Sequence, residues 1–279
     1  MICDTRWVCR HEQEDNVADD NIRFGVDIGG TGIKAAPVDV RTGELKSERV
    51  RIETPHPSTP AAVAGVVAQL VHDAKWTGEV GAAFPAVIKE GVARTAANVD
   101  PSWLDTDVSA TLRDATGCDV YAVNDADAAG VAEMHFGAGR GQRGVVVLAT
   151  LGTGIGSAVF LHGQLVPNTE LGHLEVDGHD AEKKASEIAR ERDELSWKKW
   201  SKRLSRYLNV LENLLWPDLI ILGGGGSKKA DKFLHLLEVR TKVVPATLRN
   251  EAGIVGAALV AAADVTTERG RPAQLGQQG

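Results

Sequence analysis

Cysteine is nearly missing from this chain: Cys3, Cys9 and Cys118 are the only three among 279 residues. That is too few for a disulfide framework or a four-ligand zinc site, and two of them lie in a polar N-terminal stretch. Long apolar runs are missing as well. The longest, Gly253 to Ala263, is too short to span a bilayer, and Asp4, Arg6 and Arg10 interrupt the N-terminus before an apolar leader forms. Positive charge is also scarce. With 31 Lys and Arg against 38 Asp and Glu, the formal charge of -7 excludes a general nucleic-acid or anionic-membrane binder, since both need a basic field. These absences predict a cytoplasmic protein with no nucleic-acid or membrane partner, in which any anionic substrate is held by local features.

What the chain does have is glycine. Its 30 glycines point to tight turns and backbone-lined ligand sites, while 43% hydrophobic and 25% charged residues make an ordinary globular balance. Residues 1–21 are polar and acidic without periodicity and read as a flexible extension, and residues 266–279 as a tail. Between them, Ile22 to Ile28 is a strand pattern running into Gly29-Gly30-Thr31-Gly32, followed by strands from Ile33 to Val40 and from Leu45 to Ile52. The same order returns later. Gly144 to Ala149 is a strand, Leu151-Gly152-Thr153-Gly154-Ile155-Gly156 a glycine turn, and Ser157 to Leu161 and Gln164 to Pro167 are strands; the string Gly-Thr-Gly-Ile occurs in both copies.

Such a repeat implies a duplicated lobe, with two related sheets aiming their glycine turns into a cleft, the usual place for a small ligand. Helices from Pro60 to Lys75, from Asp127 to Phe136, from Ala181 to Leu215 and from Glu251 to Ala263 alternate with strands at Val80 to Phe84, Val120 to Val123 and Leu219 to Leu222. This is an α/β chain. It divides into a small N-terminal lobe, residues 22–124, and a large C-terminal lobe, residues 125–250, with the helix of residues 251–265 a candidate to pack back on the first.

Three turns have the character of phosphate sites. Asp27, Gly29, Gly30, Thr31, Gly32 and Lys34 combine a carboxylate, unobstructed backbone N–H groups, a hydroxyl and a cation, which suits phosphate oxygens, and Asp27 can hold the water shell of Mg²⁺. The Gly-Lys-Ser/Thr ending of a Walker A loop is absent, and one such turn alone could equally be a plain hairpin. Gly152, Thr153 and Gly154 supply the second turn. Gly223, Gly224 and Gly225, after an apolar strand, supply a third, which reads as a nucleotide or phosphate site or as a hinge.

Asn124-Asp125 precedes a helix, so Asp125 reads as an N-cap and also as a base that the helix N-terminus keeps ionised. Asn98, Asn124, Glu170, His173 and Glu182 offer the donors and acceptors a polyhydroxy ligand needs. Lys183, Lys184, Lys198, Lys199, Lys202, Arg203 and Arg206, mixed with Glu187, Glu191 and Glu194, read as a solvated face or as a track for a long polyanion.

The motifs Asp27 to Lys34, Asn124-Asp125-Ala126-Asp127-Ala128, Leu151 to Gly156, Glu170-Leu171-Gly172-His173 and Leu222 to Gly226, in this order, resemble those of the ROK sugar-kinase family over nearly all of Ile22 to Val265. The resemblance implies the two-lobed actin-like ATPase fold, a duplicated ribonuclease H-like unit. It also implies Asp125 as catalytic base, a sugar held by Asn98, Asn124, Asp125, Glu170, His173 and Glu182, Mg²⁺ as cofactor, and a homodimer.

Most such kinases carry a cysteine-rich zinc loop after the Gly-His pair. Here that stretch is Leu174 to Ala181 without cysteine, so no structural zinc is expected and His173 should be positioned by packing. Glu182 is matched to the last sugar-binding Glu, with Glu187 as the alternative. The missing loop, Thr54-Pro55-His56-Pro57-Ser58-Thr59-Pro60 and Asn98-Val99-Asp100-Pro101-Ser102-Trp103 resemble the polyphosphate-using glucokinase branch, whose members phosphorylate glucose, and in some cases mannose, from inorganic polyphosphate and ATP. Two rival expectations are a sugar-sensing repressor, for which the acidic Met1 to Asn21 stretch supplies no helix-turn-helix, and an actin-like ATPase that works by conformational change alone.

Overall fold

Residues 21–97 and 99–262 are described by the computed structural model; the expected tail and nearly all of the extension lie outside the described residues, as does Asn98. The fold starts from β1 (Ile22–Gly29), where Phe24, Val26 and Ile28 alternate with Gly25 and Asp27, so one face is apolar and buried. It forms a hairpin with β2 (Gly32–Asp39), paired from Ile22 opposite Asp39 to Gly29 opposite Gly32. The expected third strand is two short pieces on β2, β3 (Glu44–Leu45) and β4 (Val50–Ile52). Between them Lys46-Ser47-Glu48-Arg49 offers no apolar residue to bury, and the ladder lapses.

The chain crosses over through α1 (Pro60–Asp73) to β5 (Val80–Phe84), parallel to β1. Thr59 caps α1 and Pro60 sits in its first turn, while Val63, Val67, Leu70 and Val71 form the buried stripe. A ribbon of β6 (Ile88–Lys89) and β7 (Val92–Ala93) and then α2 (Val108–Thr116) lead to β8 (Val120–Asn124), parallel to β5. The strand order is β3-β2-β1-β5-β8.

From β8 the chain enters α3 (Asp125–Phe136) and then the second sheet. β9 (Val145–Leu151), β10 (Ile155–Leu161) and β11 (Gln164–Val166) form an antiparallel meander. A small ribbon, β12 (Glu175–Val176) and β13 (His179–Asp180), follows. Then come α4 (Glu182–Ala185), α5 (Glu187–Arg192), α6 (Trp197–Leu215) and the parallel strands β14 (Leu219–Gly223) and β15 (Val243–Pro245). The order is β11-β10-β9-β14-β15. Both sheets thus run third, second, first, fourth, fifth, the duplicated α/β architecture expected from the repeated glycine turn.

One expected helix, Ala181 to Leu215, is three. Ser186 and Ser196 each turn extended and accept a backbone N–H from three residues on, Ala189 at 3.2 Å and Lys199 at 3.4 Å, so each starts a new helix. Trp200, Leu204, Tyr207, Leu208 and Leu211 then bury one side of α6.

The last element, α7 (Ala252–Ala262), is apolar all round and lies against β1, β5 and α3. It approaches so closely that a methyl group on Gly25 would run into the carbonyl of Ile254, and one on Gly81 into that of Ala257. Alanine at either position would cost about 1–3 kcal/mol of overpacking. Among the described residues no helix is long and apolar enough to cross a membrane.

Candidate active site

The two β-hairpin turns and the start of α3 converge on a cleft of about 460 Å³ between the sheets. Along the first hairpin, register fixes chemistry: Asp27 stands opposite Lys34, and Lys34 opposite Arg51 on β4, so all three share one face. Lys34 Nζ lies 2.9 Å from Asp27 Oδ2. Arg51 Nη2 donates to the carbonyl of Thr31 at 2.5 Å, and its guanidinium covers Gly32.

Gly30 shows why glycine stands in this turn. Neither Gly30 nor Thr31 has a positive φ, and a Cβ on Gly30 would meet nothing within 4 Å, so the turn itself does not demand glycine. The bare backbone faces the cleft, where Gly29, Gly30 and Lys34 line the wall. Thr31 and Gly32 do not line it: Gly32 already belongs to β2 under Arg51, and Thr31 gives its carbonyl to that side chain.

The second turn, Gly152-Thr153-Gly154, lines the opposite wall, and Gly224 and Gly225 join it. Gly224 has φ +73°, and an added Cβ would lie 2.6 Å from the Leu151 carbonyl, so both backbone and space demand glycine there. Gly223 is buried at the end of β14 and does not line the cleft.

Between the walls lies the head of α3. Asn124, not Asp125, is its N-cap: Asn124 Oδ1 accepts the N–H groups of Ala126 at 2.9 Å and Asp127 at 3.0 Å, and its Nδ2 donates to Ala86 O at 3.0 Å. Asp125 is therefore released from capping and lines the cleft floor. The expected effect of the helix N-terminus does not prevail. Burial, then the charge of Asp27 and more weakly that of Glu170, push the Asp125 carboxyl up to about 7, against the pull of the Ala126 N–H.

Asp127, fully buried, is likewise pushed up to about 7 by burial. Its Oδ2 accepts the Asn168 N–H at 2.7 Å, and its Oδ1 has no partner among the described residues. Asn168 in turn exchanges both amide ends with the backbone of Ile88, at 2.8 Å each, clipping the loop before Glu170 to β6.

Glu170, His173 and Glu182 also line the cleft. Glu182 Oε2 accepts the Ile155 N–H at 3.2 Å and covers Gly154. Glu187 is excluded from the lining because it pairs with Lys229 at 2.7 Å. His173 is about half exposed, so packing does not position it as expected; its Nδ1 pairs with Asp180 Oδ2 at 3.1 Å. That hydrogen bond, with Glu182 and Glu170 nearby, raises the His173 pKa, and burial raises that of Glu170. His173, Asp180 and Glu182 hold ligand atoms within 4.8 Å of one another, a set without cysteine that could hold a metal ion.

Thr95, Arg249 and Asn250 line the cleft and Asp180 holds His173, and motif reading missed all four. One signal was available for Asp180: Asp177-Gly178, both at positive φ, is the hairpin turn that places Asp180 beside His173. On α6, Arg203 is paired with Asp193 at 2.6 Å and Arg206 with Asp177 at 2.9 Å, so two members of the supposed polyanion track already carry counter-charges.

Residues 23–186 match the profile of the ROK family. The chain is 52% identical over 244 residues to the polyphosphate glucokinase of Mycobacterium tuberculosis strain H37Rv, covering 87% of this chain and 92% of that protein. It is 49% identical over 247 residues to the polyphosphate glucokinase of Mycobacterium leprae, covering 87% of this chain and 75% of that one. Among solved structures it resembles the inorganic polyphosphate/ATP-glucomannokinase of Arthrobacter sp. strain KM, with a TM-score of 0.85, 54% identity, and 87% and 99% coverage.

Proposed function

Because the chain belongs to the ROK family, we propose that it transfers a phosphoryl group from inorganic polyphosphate or ATP to the 6-hydroxyl of glucose, accepting mannose as a second sugar. The observation that carries this reading is the Asp125 carboxyl, set on the cleft floor between two glycine turns and held at a pKa of about 7. A base poised near neutrality takes a proton from an alcohol as the alcohol attacks phosphorus.

In this reading Glu170, His173 and Glu182 accept and donate hydrogen bonds to the ring hydroxyls and fix the sugar with its 6-hydroxyl toward Asp125. The bare amides of Gly29, Gly30, Gly152 and Gly154 grip the terminal phosphates. As the hydroxyl oxygen bonds to phosphorus, its proton passes to Asp125 and the bond to the remaining donor phosphate breaks, in line. The oxygen donor set fits Mg²⁺: Asp27 is a hard carboxylate whose Oδ1 faces Gly253, where an added Cβ would lie only 3.0 Å away. Bound there through its water shell, the ion would neutralise phosphate oxygens.

A product assay tests the reading: glucose and mannose, each offered ATP or polyphosphate with Mg²⁺. Formation of hexose 6-phosphate from both donors is expected. Donor hydrolysis indifferent to sugar would sink the reading in favour of a purely conformational ATPase.

A further inference from the structure

The cleft has a neighbour. Behind the loop that joins β15 to α7 lies a second cavity of about 600 Å³, lined by Arg49 and residues 245–251. Arg249 and Asn250 line both this cavity and the cleft, so they stand at the passage between the two. On the cleft side Lys34 lines the wall, and Arg51, which lines neither space, stands beside it across adjacent strands. Arg49 lies just before β4 and lines the second cavity, its guanidinium donating to the Asn250 carbonyl. A line of cations thus runs from Lys34 through Arg51 to Arg49 and Arg249.

The charge of this line is largely uncompensated beyond Lys34. Arg51 is held by the Thr31 carbonyl and Arg49 by the Asn250 carbonyl at 3.3 Å. Neither is ion-paired to a described residue, and the Arg249 side chain has no hydrogen bond or ion pair with one. Glu251 is the only carboxylate among the residues lining the cavity. The arginines of α6 contrast with this, since Arg203 and Arg206 each sit against an aspartate. Cations fixed by neutral carbonyls keep their full field for a mobile anion, whereas cations in ion pairs do not.

We propose that this second cavity receives the distal phosphates of a polyphosphate chain whose terminal group lies in the cleft, with Arg49, Arg51 and Arg249 as the binding cations. The proposal rests on the donor reading above and adds a path for the chain. A donor of three phosphates ends inside the cleft; a longer one leaves it between Arg249 and Arg51 and continues over Arg49. The alternative track along α6 becomes an outcome of the test.

Steady-state kinetics with tripolyphosphate and with a long-chain polyphosphate decide the matter, for the wild type, Arg49→Glu, Arg49→Lys and a triple Lys198→Ala, Lys199→Ala, Lys202→Ala variant. Arg49 is exposed and its one side-chain bond is to a carbonyl, and Lys198, Lys199 and Lys202 are exposed, so all forms should fold. Arg49→Glu should raise KM for the long chain about tenfold and that for tripolyphosphate about twofold or less, with the gap narrowing as salt is added. Arg49→Lys should retain most of the long-chain preference. Equal effects on both donors, or a chain-length effect in the α6 variant and not in Arg49→Glu, would overturn the proposal. A wild type that uses no polyphosphate would refute the donor reading itself, a result visible before any variant is made.

Discussion

The two glycine turns carry the same four-residue string and meet opposite surroundings. In the first, the last glycine of the string, Gly32, lies under the Arg51 guanidinium, with Lys34 two residues on. In the second, the matching Gly154 lies under the Glu182 carboxylate, with Glu170 and Asp125 lining the same cleft. Duplication supplied one string twice, closed as a loop of two residues in the first hairpin and of three in the second, and the side chain laid over each copy differs: a guanidinium adds a cation beside the first set of bare amides, a carboxylate an acceptor beside the second.

The most severe way to test this division is to remove the group between the two turns. Asp125→Asn should lower kcat by at least ~10²-fold while leaving KM for sugar and donor within about twofold, since the turns bind and the carboxylate does chemistry. The same variant should melt higher than wild type at pH 8. The folded state holds this carboxyl up to about 7 from an ordinary 3.8, so the folded state keeps a proton that the unfolded chain releases, and ionising it costs stability as pH rises through that window. The advantage of Asn should shrink as pH falls from 7 toward 4, which thermal melts across pH would reveal.

A second effect follows from the same carboxyl in the wild type. The value of kcat/KM for glucose should climb about tenfold per pH unit below 7 and level off above it, and a profile flat from pH 5 to 8 would remove Asp125 from the base role. Exchanging the covers sharpens the contrast between the turns. Arg51→Gln should raise KM for the phosphoryl donor about tenfold and hardly move that for glucose, and Glu182→Gln should do the reverse. If both variants disturb both substrates equally, the opposite covers do not divide the work.

The smallest effect is expected at Asp180. Asp180→Asn should raise KM for glucose about threefold with kcat nearly unchanged. An NMR titration should show the His173 imidazole losing the upward shift that Asp180 causes. An unmoved titration would mean that Asp180 does not position the ring.

The hairpins were legible in the sequence because an apolar run ending in consecutive glycines has few other readings, and the Asp27 to Lys34 pairing follows from hairpin register alone. The α/β alternation, the repeat and a helix starting near Asn124-Asp125 were legible for similar local reasons, although the capping residue is Asn124 and not Asp125. What lies over each turn was not. Arg51 arrives from a strand 20 residues after Thr31, and Glu182 from a helix 27 residues after Ile155; no local pattern encodes either meeting. The shift of Asp125 was misjudged because the helix N-terminus is local and readable, whereas its stronger opponents, burial and Asp27, belong to the assembled cleft. The breaks at Ser186 and Ser196 were hidden by charged residues that suit an exposed helix either way.

The close seating of α7 against Gly25 and Gly81 bears on how the molecule is made. Strands translated early wait, one face bare, for a helix near the end of the described chain, so the first lobe cannot finish folding on the ribosome while the second is still emerging. A nascent chain that has not reached residue 252 leaves that sheet uncovered, so the packing of its two central strands is completed last.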